Sequence, residues 1–230
     1  YDEHWQLVCH LCTELPTFEN GRAVEEPNPD GGRGVALTFT IREGASWGDG
    51  TPVSTRDVLF TWEVGRQPQS GVTNGGMYRR LWKVDVVDDR TFVMHDARLS
   101  FTYNAYNDFR LLPEHLERPV FAQDPATYRN RTTFDTDPAN PGLATGPYRI
   151  ASHRSGSEIV VERNPRWWGE KPWFDRITVR TIADPDGGIA ILRAASGAAT
   201  PVARACALRT HPRLPAERLA VEWSVRELAK

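Results

Sequence analysis

The chain has 230 residues, with 28 Lys and Arg against 30 Asp and Glu and a formal net charge of −2. That balance argues against a nucleic-acid surface or a polybasic membrane anchor, and no apolar run is long enough to span a bilayer. The 17 prolines, 18 glycines and 8 tryptophans point to a loop-rich protein of the α/β class, mixed α+β, long enough to bury a real core. No basic-then-apolar leader precedes Tyr1, and a chain that opens on Tyr is expected to begin inside a longer precursor.

Taken in order, Tyr1 to Gly34 opens with His4, Cys9, His10 and Cys12. Thiolates and imidazoles can hold zinc, but four ligands crowded into nine residues leave little freedom for a tetrahedron. No metal is therefore expected, and a redox role for the Cys-x-x-Cys is not favoured over ordinary helix-face residues. Trp5, Leu7, Val8 and Leu11 read as a core-facing helix; Pro16, Asn20 to Gly21 and Pro27 to Gly34 read as turns between short strands.

The most informative stretch is Leu37 to Trp62. Leu37, Phe39 and Ile41 alternate with Thr38 and Thr40, which predicts a half-buried strand ending at Arg42. Gly44, Gly48, Asp49, Gly50 and Pro52 supply turn chemistry, and Trp47 is the large apolar group able to anchor that loop. Ser54 followed three residues later by Asp57 predicts a capped helix whose buried stripe is Val58, Leu59 and Trp62.

Gln67 to Gly76 is polar and turn-rich. Leu81 to Val87 and Thr91 to Met94, joined through Asp88 and Asp89, predict a β-hairpin with Val84, Val86, Phe92 and Met94 facing inward. Phe101 to Leu116 places aromatics at 101, 103, 106 and 109 ahead of Pro113, which reads as a packed helix. Pro119 to Gly142 reads as punctuated loops whose carboxylates have no partner spaced for acid–base catalysis. Ile159 and Val161 alternate with Val160, Asn164 and Pro165 bend the chain, and Ile177 and Val179 resume the period of two. Between these strands Trp167 and Trp168, with Gly169 and Pro172, read as a packed loop.

Two blocks carry a family resemblance. The first runs TFTIREGASWGDGTPVSTRDVLFTWE, with Trp47, Asp49 to Pro52, Asp57 and Val58 in order; the second has Gly146 to Tyr148, Glu162 to Pro165, Trp167, Trp168 and Asp175. Both resemble the family 5 extracellular solute-binding proteins, the peptide and nickel receptors of ABC importers. The resemblance implies an incomplete periplasmic-binding-protein-like fold of type II, with antiparallel as well as parallel strands in two lobes. Residues 1–120 would form the smaller lobe, 121–143 the boundary loops and 144–200 part of the larger lobe, leaving 201–230 as an unmatched tail.

The family would place the helix-to-hairpin connection near the mouth of a ligand cleft, which makes Asn74 and Tyr78 the candidate ligand contacts. It implies a peptide or other small solute as ligand, permease subunits as partners and a periplasmic or extracytoplasmic location, with no cofactor and no nucleic acid. After Ala183 the resemblance fades. Ile189 to Gly197 resembles the family's next short helix, but Gly197 to Thr200 lacks the acidic pair that follows there, and a frame change near Pro185 would explain the shift. The expectation is a truncated receptor that binds poorly alone, with the strands at Ile159 to Val161 and Ile177 to Ile182 short of neighbours and prone to association.

No His-Glu-x-x-His, phosphate loop or dinucleotide fingerprint is present, so the metalloprotease and nucleotide-dependent classes lack a nucleus. The contrasting reading is a carbohydrate-binding or protein-interaction module that exposes Trp47, Trp82, Trp167, Trp168 and Trp173 on one face. Burial of those rings separates the two.

Overall fold

The computed structural model describes residues 4–72 and 74–182, together with the strand backbone of 218–222. The readings for Pro185, for Ile189 to Gly197 and for most of 201–230 lie outside the described residues. Two four-stranded sheets organise the rest, in the orders β1-β2-β4-β3 and β5-β6-β7-β8.

The first sheet comprises β1 (Ala23–Pro27), β2 (Arg33–Thr40), β3 (Leu81–Val86) and β4 (Thr91–Asp96). Period-two alternation sends Val35, Leu37 and Phe39 into the core while Thr38 and Thr40 stay half-exposed. The β3–β4 hairpin forms as the sequence predicts, with Val84 opposite Met94 and Val86 opposite Phe92. Val84, Phe92 and Met94 are buried, but Val86 is exposed. It is the last residue of an edge strand beside the hairpin turn, at a corner of the sheet.

Helix α1 (Thr55–Arg66) is capped as its sequence requires. The Arg56 amide donates to Ser54 Oγ, and Asp57 Oδ2 accepts from the Ser54 amide at 2.9 Å. Its buried stripe is wider than, and different from, Val58, Leu59 and Trp62. Asp57, Val58, Phe60, Thr61, Val64 and Gly65 are buried, whereas Leu59 and Trp62 are half-buried. The helix is covered on two sides: Val58 joins the sheet core, while Phe60 and Val64 meet Phe121 and Tyr128 in a second small core. Helix α2 (Gly75–Arg80) leads directly into β3.

Four sequence readings are overturned here. The segment around Trp5 to Leu11 is not helical; it runs alongside β2, with Cys12 bridged to Ile41 and the Arg42 amide donating to Leu11 O at 2.8 Å. Cys9 and Cys12 are joined in a disulfide, so they are neither unmodified helix-face residues nor thiolates open to a metal. Residues 101–112 form successive turns, such as Tyr103 N–H to Ser100 O and Phe109 N–H to Tyr106 O, and helix α3 (Glu114–Gln123) begins only after Pro113. Pro113 cannot donate within a helix, so the aromatics before it pack from turns instead. Helix α3 carries Pro119 within it, so 119–123 is helix and not boundary loop. A short helix α4 (Thr133–Thr136) follows.

The second sheet comprises β5 (Tyr148–Arg154), β6 (Glu158–Arg163), β7 (Arg176–Ile182) and β8 (Arg218–Glu222). Ile159 pairs with Val179 and Val161 with Ile177, as the alternation predicts. The tail does supply a neighbour for β7, since Val221 lies opposite Val179. Every strand pair among the described residues is antiparallel, against the expectation of a mixed sheet.

Candidate ligand-binding site

Asn74 and Tyr78 sit one turn apart at the start of α2 and converge on one residue. Asn74 Oδ1 caps the helix by accepting from the Met77 amide at 3.3 Å, and its Nδ2 donates to Asp108 Oδ2 at 3.0 Å. The Tyr78 hydroxyl donates to the Asp108 carbonyl at 3.1 Å. Asn74 is exposed, whereas the Tyr78 ring is buried between Gly65 and Phe109. Burial, then the Asp108 charge, push the phenol up to about 12, so it stays a neutral donor near pH 7.

Beyond α2, Asp96 ends β4 as a buried carboxylate. It receives Arg80 Nε at 2.7 Å, the Tyr106 hydroxyl at 2.6 Å and the Arg98 amide at 2.9 Å. Burial and the neighbouring Asp96 push the Tyr106 phenol up, so it too holds its proton. Asp108, Asp96 and Arg80 escaped the sequence reading, which took Tyr106 only as a packing aromatic. Asp96 did carry a signal: the inward alternation of Phe92 and Met94 continues to it, and an acid on a core face needs a partner.

The Trp47–Pro52 turn joins the two halves of the chain. Trp47 is buried, and the Gly48 amide donates to Ala144 O at 2.7 Å. A Cβ on Gly48 would lie 2.5 Å from Pro141 O, so only glycine permits this approach. His115 Nε2 and Asp49 Oδ2 are 2.8 Å apart, and Ser46 Oγ donates to Arg166 O at 3.3 Å. Burial opposes ionisation of Asp49, yet the Thr51 amide and His115 together hold its carboxyl below the usual range. Burial pushes the Asp57 carboxyl up, although the amides of Ser54 and Glu114 both donate to it.

An open cleft of about 740 Å³ borders this turn, lined by Arg42, Ser46, Ser54, Arg56, Arg90 and His115 among others. Asn74 and Tyr78 are not among its lining residues. The described residues bring together no group of three His, Cys, Asp or Glu able to hold a metal ion. Nor do the five tryptophans form one exposed face: Trp47 is buried, Trp82 packs beside His95, Trp167 and Trp168 pack on each other, and Trp173 is 90% exposed.

The family model for bacterial extracellular solute-binding proteins, family 5 middle, matches residues 30–200. Among curated relatives, a candidate binding protein of Brucella melitensis is 33% identical over 138 residues, covering 58% of this chain and 20% of its own length. Protein XP55 of Streptomyces lividans is 29% identical over 151 residues, covering 66% of this chain and 26% of its own. The chain thus spans about a fifth to a quarter of the length of these two curated relatives. Among solved structures, the oligopeptide binding protein from Thermus thermophilus, complexed with a pentapeptide, superposes with a TM-score of 0.69 at 23% identity. That match covers 84% of this chain and 36% of the other. NikZ from Campylobacter jejuni, in complex with Ni(L-His), gives a TM-score of 0.59 at 20% identity over 75% of this chain and 32% of its own. At those identities the likeness concerns the fold alone. With the family model matched over most of its length and with the fold in agreement, the chain belongs to the bacterial extracellular solute-binding proteins of family 5.

Proposed function

We propose that this chain is part of the substrate-binding component of an ABC importer, capturing a peptide or similar small solute on the extracytoplasmic side and delivering it to permease subunits. It acts by enclosure and carries no enzymatic role. The observation that carries this reading is the family match over residues 30–200 together with two sheets joined through the Trp47–Pro52 turn. Solute-binding folds close lobes over a ligand by hinge motion and gain affinity from burial without chemistry.

In this reading residues 1–120 form the smaller lobe, 121–143 its boundary and 144–200 the beginning of the larger lobe. Asn74 contacts the ligand directly, because its exposed amide keeps one donor and one acceptor position beyond those used on Asp108 and the Met77 amide. Tyr78 supports it from below by fixing the Asp108 carbonyl.

Enclosure needs two complete walls, so residues 1–230 are expected to hold a pentapeptide at about millimolar Kd, a free energy near −4 kcal/mol. An NMR titration reads binding of that strength. Pentapeptide should shift the Asn74 side-chain amide, and Asn74→Ala should weaken the titration. Peptide shifts that spare Asn74, or shifts at Trp173 caused by oligosaccharide alone, would overturn the reading.

A further inference from the structure

The disulfide lies outside the proposed ligand site, and its two sulfurs are not equivalent. Cys12 is 4% exposed and held in place by its bridge to Ile41, with the next amide, Thr13, donating to Thr40 O at 2.9 Å. Cys9 is half-buried at the edge of the same core, so it is the sulfur a thiol in solution reaches. The polar surroundings differ in the same sense. The Cys12 amide points at Cys9 Sγ at 3.1 Å, and Arg42 donates to the carbonyls of Cys9 and His10 at 3.2 and 3.0 Å. An aimed N–H and a neighbouring guanidinium favour negative charge on Cys9. Cys12 Sγ instead faces the Glu14 carbonyl at 3.2 Å, an acceptor that favours a protonated thiol.

We propose that Cys9 and Cys12 form a thiol–disulfide exchange site, with Cys9 the sulfur that exchanges and Cys12 the one that resolves. The partner class is a thiol, either a small monothiol or the cysteine of a protein. An incoming thiolate attacks Cys9 Sγ and forms a new S–S bond as the Cys9–Cys12 bond breaks. Cys12 leaves with the electron pair, takes a proton from water and donates it in a hydrogen bond to Glu14 O. In the reverse direction Cys12, deprotonated, attacks Cys9 Sγ and expels the partner's thiolate. A second partner thiol attacking the mixed disulfide leaves both cysteines reduced and the two partner thiols joined as a disulfide.

The site survives reduction because the loop between the two cysteines is anchored without it. Arg42 holds the Cys9 and His10 carbonyls, and the Arg42 amide holds Leu11 O. A disulfide closing so short a loop constrains the unfolded chain little, which suits reversible use better than structural stapling.

The test uses the full chain carrying Cys206→Ser, so that only these two sulfurs report. Cys12→Ser and Cys9→Ser variants are each mixed with glutathione disulfide under native conditions, and adducts are followed by mass spectrometry. The lone Cys9 should form its mixed disulfide at least about tenfold faster than the lone Cys12, with a pH–rate midpoint below the ordinary thiol value of about 8.5. Arg42→Ala should slow Cys9 and raise that midpoint. Equal or reversed rates would overturn the proposal.

If either single variant fails to fold, the protein with both cysteines gives the answer. It is exposed to reduced glutathione or to a protein dithiol, quenched with acid, and its adduct site mapped by fragmentation. An adduct on Cys9 from either source supports the assignment, and the source that reacts faster identifies the partner class. An adduct on Cys12, or a disulfide that reacts only after denaturation, refutes it.

Discussion

Trp62 shows how a correct helix can still mislead about a single side chain. Its position beside Val58 suggests full burial, yet the ring is half-buried, its Nε1 donates to Leu81 O at 2.8 Å, and the Arg66 guanidinium lies 4.7 Å from its centroid. Phe60 is the fully buried one, stacked edge-on against Phe121. Phe60→Ala should therefore cost about 3–5 kcal/mol, as large-to-small core changes do, and Trp62→Ala about 2 kcal/mol. Urea denaturation of the two variants side by side checks the order, and a larger loss at Trp62 would contradict it. Asp49 gives a pH-dependent counterpart. Its folded-state affinity for protons is lowered, so its contribution is present above the unfolded value of about 3.9 and is lost as pH falls through the lower folded value. The stability gap between the native chain and Asp49→Asn should be visible near pH 6 and shrink below about pH 3.9; a gap that widens in acid would contradict the sign.

Among elements, α1 carries the most connections. Asp57 closes the capping box and also receives the Glu114 amide at 2.9 Å, so one carboxylate ties the start of α1 to the start of α3. Removing the cap hydroxyl with Ser54→Ala should cost about 1 kcal/mol. Asp57→Ala should cost more, about 2–4 kcal/mol, because it leaves two amides without their acceptor. Equal losses in thermal or chemical unfolding would mean that the α1–α3 tie carries no weight. The box itself was readable, since Ser54 and Asp57 lie three apart ahead of an apolar run. The tie to Glu114 was not: it joins residues 57 positions apart, and no local spacing encodes it. The segment before α3 makes the same point. Its aromatics have mixed helical spacing, but Asn104 donates to Pro16 O and Tyr106 to Asp96, and those distant partners hold the chain in turns.

For the whole molecule, the unequal quality of the two sheets is the main feature. The first is closed over by α1 and has a continuous core, while β5 and β6 of the second carry only half-buried or exposed residues, Ile159 among them. Its edge at β7 is covered by β8, from a tail that matches no motif. Deleting 201–230 should therefore expose the β7 edge and shift the chain toward higher-order species in light-scattering chromatography. An unchanged mass distribution would mean that β8 does not protect that edge. Gly48→Ala tests the junction between the halves: a Cβ 2.5 Å from Pro141 O must push 141–144 away. Faster proteolytic cleavage there is the expected sign.

The sequence alone determined the family, the β2–turn–α1 unit, both hairpin-like pairings and the anchoring of Trp47, because each rests on interactions within a few residues or on side-chain alternation along one strand. Tertiary structure decided what depends on a distant partner. The first segment is extended because β2 offers it hydrogen bonds, and Cys9 with Cys12 became a disulfide in that setting. Asn74 and Tyr78 acquired a common partner because Asp108 folds back onto α2 from 30 residues beyond Tyr78. Which face of α1 is deepest, and which strand closes the second sheet, were settled by elements that meet in space, and a one-dimensional pattern holds no record of such meetings.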